Sequence, residues 1–282
     1  MEKPKKRSLL RAKCGMFYYK TKRKLLWCRM RRQFAAQRPA ELLPEVQFSH
    51  HTPLLRKLKD VDMELQYNKV VNLRLAAEKI DRVILYPGQT FSFWYLVGKT
   101  SAKKGYKEGM VLKNGTVGRG IGGGLCQMTN LIYWMTLHTP LTVVERYRHG
   151  YDVFPDSGRT QPFASGATCY YPHLDLMIRN DTKEPYQLHV FVGETDLEGQ
   201  WRSVKKPEYI YEIVEKNHEM RAELWGGYSR HNQLYRRVLD REGRFLREEF
   251  VVSNSAIMMY PPFLSAGTDH SEYERERAEI RL

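Results

Sequence analysis

The stretch Gly122-Gly123-Gly124-Leu125-Cys126-Gln127-Met128-Thr129-Asn130-Leu131-Ile132-Tyr133-Trp134-Met135-Thr136-Leu137-His138-Thr139-Pro140 runs three glycines straight into an apolar pattern that begins at a cysteine. Leu125, Met128, Leu131, Ile132 and Met135 recur at steps of three and four, which is the spacing of one buried helix face, and Thr139-Pro140 ends it. Glycine loses more entropy on folding than any other residue, so three in a row mark a tight turn or a close backbone approach. Cys126 therefore falls in the first turn of a helix, where free N–H groups and the positive end of the macrodipole favour a thiolate.

Magnitude limits that effect. A helix terminus contributes about 0.3–1 kcal/mol, less than one unit on a thiol of ordinary pKa about 8.5. A cationic partner is needed as well, and the nearest candidate is His149 in Glu145-Arg146-Tyr147-Arg148-His149-Gly150. The competing reading makes Cys126 a small buried hydrophobe, with the glycines only letting the helix pack closely and His149 a solvated loop residue.

Outward from this stretch the pattern continues. Leu73, Ala76, Ala77 and Ile80 mark the inward face of a second helix over 68–81, followed by a strand at 83–85 and a Pro87-Gly88 turn. Thr90 to Trp94 alternates as a strand, and Asn114-Gly115 between Val111-Leu112 and Thr116-Val117 predicts a hairpin. Leu141 to Val144 reads as a buried strand, leaving Glu145 to Asp156 as a polar loop. Asp175–Ile178 and Tyr186–Val192 read as strands joined through Asn180-Asp181-Thr182, with Asp175 an edge-facing carboxylate or a site acid. Tyr209–Val214 and Leu234–Val252 are strand-rich, with a hairpin loop at Asp240–Gly243. Sustained βαβ alternation is lacking, so the expected fold is α+β, mostly antiparallel strands packed with two principal helices.

Six blocks carry a resemblance to a known family: Asn72-Leu73-Arg74-Leu75-Ala76-Ala77; Pro87-Gly88-Gln89-Thr90-Phe91-Ser92-Phe93-Trp94; Gly122 to Asn130; His138-Thr139-Pro140-Leu141-Thr142; Val144-Glu145-Arg146 with His149; and Leu174-Asp175-Leu176 to Arg179-Asn180-Asp181-Thr182. In order and spacing they resemble the VanW family, named after the accessory protein of B-type vancomycin resistance. The resemblance is strong from about Glu64 to Val192 and implies an accessory or cell-envelope role, without naming a reaction. Many relatives carry an aspartate before Ala-Thr where this chain has Gly166, so the acid that would orient a histidine must be sought elsewhere, at Asp152 or Asp156. In the catalytic reading Cys126 attacks a carbonyl, His149 moves the proton, and backbone N–H groups from Gly124 through Gln127, with the Gln127 amide, hold the oxyanion. In the binding reading Gly122, Gly123 and Gly124 cradle a ligand group. Arg146 and Arg148 would attract a carboxylate or phosphate, with Glu145 paired to Arg146 or another basic group.

The chain has 282 residues and a formal net charge of +14, of which +13 lies in residues 1–38. In that basic N-terminal arm, Leu9, Leu10, Met16, Phe17, Leu25, Leu26, Trp27, Met30 and Phe34 interleave with Lys and Arg, as in a segment attracted to an anionic membrane surface. A solvated arm is the alternative, and nucleic acid is disfavoured because no binding module accompanies it. The arm's apolar runs are too short for a membrane span or a signal peptide, which places the protein in the cytoplasm, peripheral on the inner membrane face. Four cysteines, Cys14, Cys28, Cys126 and Cys169, do not make a disulfide scaffold, and Cys126, Cys169, His149 and His173 lack zinc-ligand spacing, so no metal or cofactor is expected. The organisation expected is a basic arm (1–38), a linker (39–63), a core domain (64–200), a strand-rich extension (201–264) and a charged tail (265–282). The function expected is envelope maintenance or glycopeptide resistance, through Cys-dependent acyl transfer or amide hydrolysis on a peptide-like peptidoglycan precursor, or through a non-catalytic ligand-binding scaffold held near the membrane.

Overall fold

The computed structural model describes residues 8–55, 62–113, 115–153 and 161–262. The basic segment is a helix, α1 (Leu9–Arg29), N-capped by Ser8 and seated on the rest of the chain. Arg23 is buried, pairs with Glu145, and donates from Nε to the Pro172 carbonyl at 3.0 Å. Trp27 packs against Tyr95 and Tyr171. Over these residues the arm is a helix anchored by one guanidinium and one indole, with most of its other residues exposed.

The expected linker contains a strand, β1 (Glu45–Pro53), in which inward and exposed residues largely alternate. Its polar Gln47-Phe48-Ser49-His50-His51 and flanking prolines hid it. An edge strand tolerates both, since one of its sides is unpaired. Helix α2 (Met63–Ile80) starts at Asp62, whose side chain accepts from the Glu64 N–H, and buries Leu65, Leu73, Ala76, Ala77 and Ile80. After β2 (Ile84–Leu85), strand β3 (Thr90–Ser92) is shorter than the alternation suggested. Ser92 accepts from the Tyr95 N–H at 3.2 Å and turns the chain into α3 (Phe93–Val97).

The hairpin pairs β4 (Glu108–Lys113) with β5 (Thr116–Ile121), Lys113 facing Thr116 across a turn whose Gly115 has φ +80°. Asn114 lies outside the described residues. Then come α4 (Cys126–Leu137), β6 (Thr142–Glu145), β7 (Tyr151–Asp152), β8 (Met177–Arg179), β9 (Tyr186–Val192) and β10 (Asp196–Ser203). The extension is a meander of three long strands, β11 (Ile210–Glu223), β12 (Gly227–Leu239) and β13 (Phe245–Met258).

The fold is α+β with mostly antiparallel sheets. The order β1-β10-β9-β2 forms the central sheet, and α2 and α4 pack on it. Trp201 on β10 is fully buried there and donates from its indole to Thr136 Oγ1 of α4 at 3.0 Å. Strands β3-β8-β6 make a second sheet. The third, β11-β12-β13-β7, binds the loop after β6 into the extension, because β7 pairs parallel with the end of β13. The expected polar loop at 145–156 thus contains a strand held by residues about a hundred positions later, as in the Ile257 N–H donating to the Gly150 carbonyl at 2.9 Å. Among the described residues no helix is long and apolar enough to cross a membrane.

Candidate functional site

The glycine turn is clamped by backbone. Gly122 and Gly124 have φ of +78° and +91°, which only glycine adopts readily. A Cβ on Gly123 would lie 2.2 Å from the Gly109 carbonyl oxygen of β4. Asn72 of α2 donates to the Gly123 carbonyl at 2.9 Å and to the Lys107 carbonyl at 3.0 Å, and accepts from the Lys107 N–H at 2.8 Å. One asparagine thereby ties α2, the hairpin and the turn together, and the start of α4 is fixed relative to all three.

Cys126 opens that helix and is partly buried. The Cys169 thiol donates to Cys126 Sγ across 3.9 Å, and the Cys126 thiol donates to the Cys169 carbonyl at 3.7 Å. The hydrogen bond from Cys169 holds the Cys126 thiol well below its ordinary range, against the opposing push of burial, with His149 adding a hydrogen bond and positive charge. Cys169 moves the other way, pushed well up by burial and by the neighbouring thiolate. Two facing sulfurs with an imidazole beside them are an arrangement that can supply a nucleophile.

Helix α4 also holds the segment that carries Cys169. Thr129 Oγ1 donates to the Ala167 carbonyl at 2.6 Å, and Asn130 accepts from the Ala167 N–H at 2.7 Å. A Cβ on Gly166 would meet Asn130 Oδ1 at 2.5 Å, so an aspartate there would require Asn130 to move. Tyr147 and Thr168 form an isolated antiparallel bridge, bringing the His149 loop alongside the Cys169 segment.

The other residues singled out from the sequence have partners of their own. Gln127 donates its amide to Thr52 Oγ1 at 2.9 Å and to the Pro53 carbonyl at 2.9 Å, pinning β1 to α4. Arg146 stacks over Tyr133 and donates to the carbonyls of Ala164 and Gly166 and to Asn254 Oδ1. Arg148 donates to the carbonyls of His149 and Ser255, and burial with the nearby Arg146 charge lowers its pKa to about 10. Both guanidiniums hold loops. Asp152 is buried, with Arg230 at 3.4 Å and the Tyr260 hydroxyl donating at 2.7 Å, so its carboxylate bonds the extension and not His149. Asp156 lies outside the described residues. Glu145 pairs with Arg23 of α1, not Arg146, and accepts from the Asp175 N–H at 3.3 Å.

Asp175 is not edge-facing. It is fully buried, accepts from Ser92 Oγ at 2.5 Å and from the Trp94 and Leu176 N–H groups at 2.9 Å, and burial with the nearby Glu145 charge raises its pKa to about 6. Two residues that sequence reasoning did not place at the site are Cys169 and Arg23. The only local signal for Cys169 is its position just after the Ser165-Gly166-Ala167-Thr168 block, and nothing near Arg23 points to Glu145. Among the described residues no group of three or more His, Cys, Asp or Glu is placed to hold a metal ion.

A family model described as VanW like protein matches residues 68–202, the span from α2 through most of β10. The vancomycin B-type resistance protein VanW of Enterococcus faecalis is 33% identical over 219 residues, covering 78% of this chain and 80% of that protein. An uncharacterized protein, YoaR of Bacillus subtilis, is 36% identical over 115 residues, 40% of this chain and 36% of its own length. No solved structure matches the chain.

Proposed function

The chain belongs to the VanW family, and from that membership we propose that it serves glycopeptide resistance or envelope maintenance by Cys126-dependent acyl transfer or amide hydrolysis on a peptide-like envelope precursor. The observation that carries this reading is the position of Cys126 at the start of α4, its sulfur 3.9 Å from that of Cys169 and His149 beside it. Cys126 attacks the carbonyl, and His149 takes the proton and returns it to the leaving amine. The N–H groups of Leu125 and Cys126, at the start of the helix ladder, are the donors suited to the oxyanion. Asp152 is bound to Arg230 and Tyr260, so the ring is held by its loop instead of by that acid.

The test is the alkylation rate of each cysteine from about pH 5 to pH 9, read by mass spectrometry. Cys126 should react fastest below pH 7 and slow about tenfold on His149→Ala, an effect of one pKa unit. A Cys126 that stays inert until the chain unfolds sinks the reading. Cys126→Ala should then abolish the resistance or envelope phenotype.

The second reading rests on α1. Over most of its circumference it exposes Leu10, Met16, Phe17, Tyr18, Tyr19 and Leu25 among lysines and arginines, while Arg23 and Trp27 face the core. That distribution suits a seat on anionic lipid at the inner membrane face, presenting the site to a lipid-linked precursor, with or without catalysis. Sedimentation with anionic vesicles that falls with salt and with Lys→Ala changes on α1 supports it; salt-independent binding overturns it.

A further inference from the structure

Cys126 and Cys169 are 43 positions apart in sequence, yet their sulfurs face each other at 3.9 Å with one thiol donating to the other. A disulfide needs about 2.05 Å between sulfurs, so closing the pair requires an approach of roughly 2 Å. The Cys169 side permits it. Its segment is irregular chain between two isolated bridges, Tyr147 with Thr168 and Tyr170 with Leu174, and no sheet ladder fixes it. Cys14 and Cys28 lie on exposed positions of α1 and form no such pair. His149 also lines a hollow of about 30 Å³ with Leu112, Gly115, Tyr151 and Val153, room for one water-sized molecule.

We propose that Cys126 and Cys169 form a reversible dithiol–disulfide couple whose oxidant is hydrogen peroxide, Cys126 being the sulfur oxidised first and Cys169 the resolving one. In the first step the Cys126 thiolate attacks one peroxide oxygen and the O–O bond breaks. Cys126 becomes a sulfenic acid, and the departing hydroxide takes a proton from the His149 imidazolium to leave as water. In the second, the Cys169 sulfur attacks the Cys126 sulfur, its proton leaves with the sulfenic hydroxyl as a second water, and the S–S bond forms. Two thiols are oxidised and one peroxide is reduced. A dithiol reductant restores the pair by exchange. The couple rests on the reactivity proposed for Cys126 but needs no acyl chemistry, and its disulfide form would withhold the nucleophile until reduction.

The experiment treats the full chain at neutral pH with stoichiometric hydrogen peroxide, blocks free thiols, and maps peptides without reduction. The expected result is a linked Cys126–Cys169 peptide pair lighter by two hydrogens, reversed by dithiothreitol, with alkylation of Cys126 falling at least about tenfold on oxidation. Cys169→Ser should leave a Cys126 sulfenic acid that dimedone captures, while Cys14→Ser with Cys28→Ser should change nothing. If Cys169→Ser fails to fold, the time course in the unaltered chain decides. Progress of Cys126 to sulfinic acid without a link, or a link formed only in denaturant, overturns the proposal. A link that forms while Cys126→Ala keeps the envelope phenotype removes the acyl-transfer reading and leaves the couple standing. Loss of the phenotype without any link does the reverse.

Discussion

The wall of the site contributed by α4 is made from one uninterrupted run, Gly122 through Asn130, whereas the facing wall is assembled from His149 before β7, the Cys169 segment, and the end of β13 that holds β7. The first wall is rigid because backbone meets backbone, at Gly123 against Gly109, with Asn72 bonding both sides of the approach. The second is held by the pairing of β7 with β13, by Arg148, by the buried Asp152–Arg230 pair and by the bridge of Tyr147 with Thr168. Cys126 thus sits on a helix start fixed by backbone contact, and His149 on a loop fixed through β7 and Arg148.

The comparison breaks most severely at Gly123. A methyl group there would sit 2.2 Å from the Gly109 carbonyl, where neither backbone can withdraw without parting the hairpin from α2. Gly123→Ala should cost about 4 kcal/mol in chemical denaturation, beyond ordinary overpacking. A loss under about 1 kcal/mol would mean that the turn is not clamped. Next is Asp152→Ala, which removes the carboxylate facing Arg230 and should cost about 3 kcal/mol. Because β7 follows His149 directly, the same change should slow Cys126 alkylation by loosening the loop. Asp152→Asn separates the roles: a variant that keeps its stability but loses His149-dependent reactivity would make Asp152 the acid that orients the ring.

This contrast also explains what the sequence disclosed. The helix from Cys126, the hairpin at Gly115 and the inward face of α2 are written in local periodicity and turn chemistry, so residues within a few positions of each other suffice to find them. Strand β1 stayed hidden because a half-exposed edge strand has a polar, proline-flanked composition. Helix α1 looked like an arm because Lys and Arg outnumber its two anchors, and only tertiary structure reveals Glu145 beneath Arg23. At the site, Cys126 and His149 were singled out from the sequence, and the structure brings them near each other. Cys169 was not, since its meeting with Cys126 depends on α4 gripping Ala167 through Thr129 and Asn130. Arg146 and Arg148 illustrate the opposite error: basic residues near a candidate nucleophile suggest an anion site, but their donors are aimed at carbonyls.

Asp175, held by Ser92 and the Trp94 N–H, has its carboxyl raised to about 6 by burial. From about pH 4 to 6 the folded chain keeps the proton that the unfolded chain has lost, so stability falls by about 3 kcal/mol as pH rises through that window. His138 opposes it. Burial lowers that imidazole to about 4, so the unfolded chain binds the extra proton and stability rises with pH up to about 6.5. The unaltered chain should therefore show a shallow profile. Asp175→Asn removes only the falling contribution, so its stability relative to the unaltered chain should climb by about 3 kcal/mol between pH 4 and 6. A constant difference across those pH values would show that Asp175 does not titrate there.

The smallest expected effect sharpens the comparison at the seam between α4 and β1. Gln127 follows Cys126 directly, and its amide is one of the groups that sequence reasoning offers to an oxyanion. In the structure that amide donates to Thr52 and Pro53 instead, so its work is to hold an edge strand against the helix. Gln127→Ala should cost about 1 kcal/mol, the worth of an ordinary hydrogen bond, and leave the pH profile of Cys126 alkylation unchanged. Thr52→Val removes one acceptor, the hydroxyl, and should cost less than that, again without touching the thiol. If Gln127→Ala instead spares stability and abolishes turnover of a carbonyl substrate, the amide leaves β1 when substrate enters. The stiff wall would then contain one moving part, next to the sulfur itself.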